Sequence, residues 1–172
     1  MVLMSKKRDI MKIIEKTVYT FAELSDKAKQ KAEHWYCENV PYFWGDEHIS
    51  EIKEFLSVFN VTLTRYAYDA HTFSCRTDID NCKWQGNNKK DVLERLARYQ
   101  VGYYAGEGLK QAFVAEYAKN GSIKRAIIEA LGKSFKELCS DYEHHFSDEA
   151  IEDFFGSDED YFYFYEDGTI AN

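Results

Sequence analysis

The chain has 172 residues, of which 45% are apolar and 16% aromatic, and its formal net charge is −8. This length suits one domain with a full core better than two, and the negative charge disfavours direct binding to nucleic acid, which requires a basic footprint. Since no apolar run approaches the roughly 20 residues of a membrane span and no signal-peptide pattern is present, we expect a cytoplasmic protein that has no membrane partner.

The first part of the chain predicts a strand followed by a helix. Residues 11–20 are rich in β-branched side chains, which favour a strand. Thr20 and Glu23 have the spacing of a capping box, a signal for a helix N-terminus. Apolar residues then recur at helical spacing, so we expect a helix to about Glu38, before Pro41 interrupts the pattern.

A second helix and a pair of strands are expected next. The apolar stripe across 49–59 predicts an amphipathic helix. Alternating side chains at 61–68 and a short segment at 72–77 predict two strands that could form a hairpin. The polar residues 78–88 have the composition of a loop.

Three further helices are predicted in the second half of the chain. Their apolar positions cover 92–99, 109–117 and 123–142, and the last of these is the longest amphipathic stripe in the sequence. Between the second and third, Asn120-Gly121 is a helix stop and Ser122 is a helix N-cap.

The C-terminal segment, residues 137–172, combines strong negative charge with many aromatic side chains. It holds 12 Asp and Glu residues and no Lys or Arg. Because its aromatic side chains are too apolar to remain in water, we expect this acidic segment to fold. It predicts a short helix from Ser147 that ends near Gly156, a last strand at 161–165 and a turn at 166–169.

The order of these elements predicts the fold class. Strands at both ends and in the middle alternate with runs of helices, which is typical of an α+β fold. We therefore expect helices packed on one face of a small, mainly antiparallel sheet, in a single globular domain that covers residues 1–172.

Groups that resemble catalytic or metal sites each have a simpler interpretation. His144 and His145 are adjacent, so on a helix their imidazoles point about 100° apart and rarely reach one ion. Cys75 and Cys82 lack the further ligands of a zinc site. The glycines around Glu107 lack the spacing of a phosphate-binding loop. We therefore predict no catalytic residue, no metal and no cofactor.

The acidic segment is the strongest functional signal. A fixed anionic face attracts basic partners, whereas ordinary surfaces mix both signs of charge. The alternative interpretation is that these charges serve only solubility. The candidate partner-binding residues are Asp141, Glu143, Asp148, Glu149, Glu152, Asp153, Asp158, Glu159, Asp160, Tyr161 and Tyr163.

The segment 18–32, which reads V-Y-T-F-A-E-L-S-D-K-A-K-Q-K-A and is followed by Trp35 and Tyr36, resembles a known pattern. It is similar to the "Y-x-F-x-E-L-S-x-x-A-K-x-K-A" N-terminus of a family of small phage and prophage proteins. An aromatic strand that ends in an E-D-G turn, here Glu166–Gly168, is a second shared feature. The similarity is confined to the two ends of the chain, and the Gly-rich strand motif of the family is missing around 67–76.

The resemblance implies a phage-encoded protein, and some members of the family carry antitoxin-like labels. A small acidic phage protein is expected to inhibit host defence without catalysis, as anti-CRISPR proteins do. Its carboxylates would replace phosphates in the basic groove of a host nucleic-acid-binding protein or defence nuclease. Two alternatives remain open: an antitoxin-type protein that neutralises a cognate toxin, and a small enzyme that uses Cys or His residues.

Overall fold

The computed structural model describes residues 15–157 and 162–171, which form six α-helices and two β-strands. The helices are α1 (Asp26–Asn39), α2 (Trp44–Ser57), α3 (Gly86–Arg98), α4 (Gly106–Asn120), α5 (Ile123–His145) and α6 (Asp148–Gly156), and the strands are β1 (Leu63–Tyr68) and β2 (Phe73–Thr77). The predicted α+β class is confirmed. None of the helices in the described ranges is both long enough and apolar enough to cross a membrane.

The chain divides into two compact units. One consists of residues 37–151, and the other of residues 1–36 together with 152–172. The boundaries fall inside α1 and α6. The expectation of one domain over residues 1–172 stays a prediction.

The unit of residues 37–151 has a helical core built mainly from α2, α4 and α5. Phe55 in α2 and Phe59 just after it contact Phe113 of α4, with ring centroids 6.1 and 4.9 Å from the Phe113 ring. All three rings are almost fully buried. Burial of a side chain of this size contributes about 2–3 kcal/mol, so these rings are a main source of stability in this unit.

The connection between α4 and α5 follows from three residues. Gly121 adopts a left-handed conformation with φ of +66° and ends α4, donating its N–H to the carbonyl oxygen of Tyr117. Ser122 then caps α5, and its Oγ accepts a hydrogen bond from the backbone N–H of Arg125 at 3.3 Å. The helix stop and helix start predicted here are confirmed, because only Gly adopts such a φ without strain and Ser is a preferred N-cap.

Strands β1 and β2 form an antiparallel ribbon in which Tyr66 lies opposite Cys75. Asp69 closes the turn, and its carboxylate accepts hydrogen bonds from the two residues before β2 at 2.8 and 2.7 Å. Phe73 stacks on Phe135 of α5, with centroids 5.3 Å apart and planes 8° apart. One face of this small sheet therefore lies against a helix, as the predicted fold class requires.

In the other unit, aromatic rings form the core. Phe21 stacks on Phe155 at 5.1 Å, and Phe164 meets Phe155 edge-on at the same distance. Tyr36 and Trp35 of α1 add further ring contacts at 6.0 and 6.4 Å from Phe155. Phe164 is completely buried. The aromatic residues near the C-terminus are thus packed against residues from the first part of the chain.

The strands predicted for this unit are wrong in the described residues. Residues 15–20 form no strand, and 11–14 lie outside the described residues. In the predicted last strand, Phe164 makes only isolated bridges, one to Tyr19 and one to Ile170, and Tyr161 lies outside the described residues. The physical reason is that the rings of this segment pack into a cluster, whereas a strand needs a continuous backbone partner for its ladder.

The predicted turn at 166–169 is confirmed. Gly168 has φ of +82°, and its N–H donates to the carbonyl oxygen of Tyr165 at 2.9 Å. Lys31 of α1 donates to the Asp167 carboxylate at 2.7 Å and to the Thr169 hydroxyl at 2.6 Å. This hydrogen bond from Lys31 holds the pKa of Asp167 well below its usual range.

The predicted capping pair is also present, although it precedes a shorter element. The Glu23 carboxylate accepts hydrogen bonds from the backbone N–H of Thr20 at 2.8 Å and from its hydroxyl at 2.9 Å. The element that follows is a single 3₁₀ turn, Phe21–Glu23, and α1 begins only at Asp26.

Candidate partner-binding surface

Four of the candidate carboxylates share one face of α6. Successive helical residues are about 100° apart, so positions 148, 149, 152 and 153 span about 140° of the helix circumference. All four side chains are exposed: Asp148, Glu149, Glu152 and Asp153. Ile151 and Phe155, which are buried, lie outside this arc. An amphipathic pattern therefore directs the carboxylates of α6 towards solvent.

Two more candidates, Asp141 and Glu143, are exposed near the C-terminal end of α5. The C-terminus of a helix is the negative end of its dipole, so an acidic residue there is unfavourable by about 0.3–1 kcal/mol. Asp141 also acts on the interior of its own unit: burial raises the pKa of Tyr42 to about 12, and the charge of Asp141 adds to that increase. Glu143 has no such effect on a buried group and is the better target for substitution.

Some carboxylates elsewhere in the described chain have structural partners. Glu116 pairs with Arg125 at 3.0 Å, Asp80 pairs with Lys124, and Glu51 binds backbone N–H groups. In contrast, the six described candidates from Asp141 to Asp153 form no ion pair and accept no side-chain hydrogen bond within the described residues. Their charges are therefore uncompensated by the described part of the protein.

Glu152 and Tyr163 meet at an open cavity of about 490 Å³. Tyr163 is 40% exposed. The other lining residues include three phenyl rings and one ammonium group, from Phe21, Phe155, Phe162 and Lys29. Apolar walls with charged groups at the edge suit a side chain that has an apolar stem and a polar tip.

The remaining candidates, Asp158, Glu159, Asp160 and Tyr161, lie outside the described residues. The structure therefore places seven of the proposed binding residues, six of them carboxylates, and it brings two of these, Glu152 and Tyr163, to one cavity.

Three of the four cysteines lack the features of a nucleophile. Burial raises the pKa of the thiols of Cys75, Cys82 and Cys139. A raised pKa lowers the fraction of thiolate, the reactive form, at neutral pH. Cys139 is buried and its thiol points to the carbonyl oxygen of Thr72 at 3.4 Å. Among residues 15–157 and 162–171, no three His, Cys, Asp or Glu side chains are grouped so that they could hold a metal ion.

One polar pair was not expected from the sequence. Nε2 of His48 in α2 lies 2.8 Å from Oγ of Ser134 in α5, and the two residues are only 2% and 1% exposed. Such a pair can activate a serine in a hydrolase, but here it is closed to solvent and lies in no described cavity. Burial lowers the pKa of His48. Little in the sequence indicates this pair, apart from the fact that Ser134 occupies a position of the α5 stripe where an apolar residue is expected.

Comparison with known proteins gives no match: no family model, no curated protein and no solved structure is similar to this chain. The resemblance to small phage and prophage proteins therefore stays a prediction.

Proposed function

We propose that the protein is a non-enzymatic inhibitor of phage origin that binds a host nucleic-acid-binding protein, such as a defence nuclease, through the exposed carboxylates of its acidic segment. The observation that carries this proposal is the set of six exposed carboxylates, from Asp141 to Asp153, that have no cationic partner in the described part of the chain.

Electrostatics gives the proposed binding its physical basis. Carboxylates on a helix face are fixed in space, and like charges held together raise the local negative potential. A basic groove that normally holds phosphates is complementary to this potential, so encounter is accelerated and nucleic acid is excluded from the same groove. Because the charges are exposed, the attraction weakens as salt screens it, with a Debye length of about 8 Å at physiological ionic strength.

The cavity that Glu152 and Tyr163 line adds an anchor to this long-range attraction. Because Lys29 already lies over the Phe21 ring, an Arg or Lys of the partner would place its stem against the Phe155 and Phe162 rings and its charge near the Glu152 carboxylate. Contacts of this buried kind carry more of the binding energy than exposed charge pairs, which each contribute about 0–1 kcal/mol.

The test is a double charge reversal at sites where folding is preserved. Glu143 lies in the last turn of α5 and Asp153 in the C-terminal half of α6. A lysine at either position suits the helix dipole, so Glu143→Lys with Asp153→Lys should fold normally. The matched control, Asp91→Lys with Glu129→Lys, changes the net charge equally at exposed positions of α3 and α5.

The protein is immobilised and incubated with a bacterial lysate at low salt, and captured proteins are then challenged with duplex DNA. We expect the immobilised protein to capture a nucleic-acid-binding protein, and we expect duplex DNA to displace it. The Glu143/Asp153 variant should capture at least tenfold less of this protein than the control variant does. Capture that DNA does not displace, or that both variants retain equally, would contradict the proposal.

A further inference from the structure

The unit of residues 37–151 carries an exposed group of aromatic side chains that the proposed function does not use. This aromatic patch consists of Phe43, Trp44, Tyr103 and Tyr104, whose exposed fractions are 66%, 52%, 92% and 39%. Large aromatic side chains dominate the energetics of cores and interfaces because each can bury about 150–250 Å². Four exposed aromatic side chains on two adjacent segments indicate an interaction surface, whereas a single exposed apolar residue needs no explanation.

Three rings of the aromatic patch, those of Trp44, Tyr103 and Tyr104, contact one another. Trp44 stacks on Tyr104, with centroids 5.6 Å apart and planes 30° apart. Tyr103 is almost perpendicular to Tyr104, at 5.2 Å and 86°. Trp44 and Tyr103 thus present their exposed rings to solvent in two different orientations.

A half-buried carboxylate fixes the backbone of the segment that carries Tyr103 and Tyr104. The carboxylate of Glu51 in α2 accepts hydrogen bonds from the backbone N–H groups of Tyr104 at 3.1 Å, Ala105 at 2.6 Å and Gly106 at 2.8 Å. This ties the segment of Tyr103 and Tyr104 to the helix that carries Trp44. A surface held in its binding geometry loses less conformational entropy when a partner binds.

The charged side chains within the two segments that carry the aromatic patch are negative, whereas Lys53, Arg98 and Lys110 flank these segments, and Lys110 donates a hydrogen bond to the carbonyl oxygen of Tyr99 at 3.3 Å. Residues 40–52 and 99–109, which contain the patch, include no Lys or Arg. They include Asp46, Glu47 and Glu107, which are exposed. Glu47 follows Trp44 by three residues in α2, so the two side chains lie on the same face of the helix. This surface therefore complements a cation and repels phosphate groups.

We propose that the aromatic patch is a docking site for a cationic segment of a partner protein, in which an Arg or Lys side chain lies against Trp44 or Tyr103 and pairs with Glu47. Aromatic faces attract guanidinium and ammonium groups, and Trp does so most strongly. Arg is favoured over Lys because its planar group stacks on a ring while it forms hydrogen bonds with a carboxylate. The proposed contacts use different residues from the carboxylates of the acidic segment.

The first experiment uses a synthetic peptide of alternating arginine and alanine as the probe, titrated into the full-length protein by calorimetry. Tyr103→Ala is the main variant, because a side chain that is 92% exposed can be removed without loss of packing. We expect about two- to fivefold weaker binding, since the exposed cation–π contact with this ring is lost. Phe43→Ala should weaken binding in the same direction.

The matched control is Ile128→Ala, which removes an apolar side chain that is 52% exposed from α5. It should bind the peptide as the unchanged protein does. A glutamate–alanine peptide should not bind at all, and a lysine–alanine peptide should bind more weakly than the arginine peptide.

Several results would overturn the proposal. Equal peptide affinity in Tyr103→Ala and Ile128→Ala would show that the patch does not bind cations. Concentration-dependent dimers that Tyr103→Ala abolishes would assign the patch to a second copy of the chain. Binding of duplex DNA or of anionic vesicles that Tyr103→Ala abolishes would also overturn it.

The failures of this proposal and of the proposed function are distinguishable. A peptide that binds the acidic segment would lose affinity in the Glu143/Asp153 variant and be insensitive to Tyr103→Ala. A peptide that binds the aromatic patch shows the opposite pattern, because that variant leaves Trp44, Glu47 and Tyr103 unchanged.

Discussion

The Glu51 carboxylate accepts a hydrogen bond of 2.6 Å from the backbone N–H of Ala105. Ala105 directly precedes α4, so this negative charge lies at the positive end of the helix dipole and satisfies N–H groups that have no partner inside the helix. Gly102 leaves room for the contact: a Cβ at this position would lie 2.1 Å from the carboxyl carbon of Glu51. One side chain of α2 therefore fixes both the start of α4 and the segment before it.

We expect Glu51→Gln to lower the free energy of unfolding by about 1–2 kcal/mol, because a neutral amide accepts weaker hydrogen bonds and directs donors at N–H groups. Urea denaturation measures this change. Glu54→Gln, at an exposed position of the same helix, should stay within about 0.5 kcal/mol of the unchanged protein. Equal losses in the two variants would contradict a role for the Glu51 contact.

The Glu51 contact also predicts that the free energy of unfolding depends on pH. Partial burial pushes the pKa of Glu51 upward, but the N–H groups of Ala105, Tyr104 and Gly106 together outweigh it and hold the pKa below its usual value. A lowered carboxyl pKa contributes stability above the ordinary value of about 4.3, and this is lost as pH falls through the folded value. The stability difference between the unchanged protein and Glu51→Gln should therefore shrink in acid.

The buried His48–Ser134 pair predicts that the free energy of unfolding also depends on pH in a second, higher pH range. Burial lowers the pKa of His48, while Asp141 and Ser134 partly oppose this effect. Below about pH 6.5 the unfolded chain binds a proton at this residue and the native protein does not, so stability falls as pH decreases from that value. His48→Gln should flatten the curve of unfolding free energy between pH 7 and pH 5. A slope that remains unchanged would show that other groups cause it.

Ser134→Ala should destabilise the protein by about 1–3 kcal/mol. The substitution removes the hydrogen-bond partner of the buried His48 ring, and an unsatisfied buried polar group costs about that much. Ser140→Ala is a suitable control, since Ser140 is an exposed serine of the same helix. Chemical denaturation at pH 7 checks both variants.

Gly168→Ala should destabilise the turn near the C-terminus. An alanine there would require φ of +82° and would place its Cβ 2.1 Å from the carbonyl oxygen of Ala28. The left-handed conformation alone costs about 1–2 kcal/mol for a residue with a Cβ, and the overlap adds to this cost. Gly132→Ala, inside α5 with open space around it, is the matched control and should be neutral or stabilising by up to about 1 kcal/mol. Thermal unfolding separates the two outcomes.

The raised thiol pKa values predict slow alkylation. Cys75, Cys82 and Cys139 should react with iodoacetamide at pH 7 more slowly than the same residues in protein unfolded with urea. Peptide mapping by mass spectrometry gives the rate at each residue. A cysteine that reacts faster in the folded protein would favour the enzyme alternative over a binding protein.

The sequence predicted the helices well because their signals are local. The pair Asn120-Gly121 and the cap Ser122 specify the connection between α4 and α5 within three residues. The acidic helix α6 likewise follows from the spacing of its carboxylates and of Ile151 and Phe155. Such short-range preferences do not depend on what the rest of the chain does.

The strands predicted near both ends do not form in the described residues, and the sequence could not show this because strand pairing is not local. The aromatic run that includes Phe164 has the composition of a strand, but its rings pack on Phe21 and Phe155, and only single-residue bridges form. Whether a strand-like segment joins a ladder depends on a partner elsewhere in the chain. The aromatic patch was not predicted for a related reason: the sequence does not indicate whether the side chains of Trp44 and Tyr103 are exposed or buried.

The contact of Lys31 with Asp167 joins residues that are 136 positions apart. Closing so long a loop has an entropic cost, although that cost grows only slowly with length. During synthesis on the ribosome, Phe21 and its neighbours must therefore wait for Phe155 and Phe164 to emerge, whereas α4 and α5 can pair as soon as both have left the exit tunnel. A chain stalled or cut before residue 155 would carry an aromatic surface that attracts chaperones and proteases.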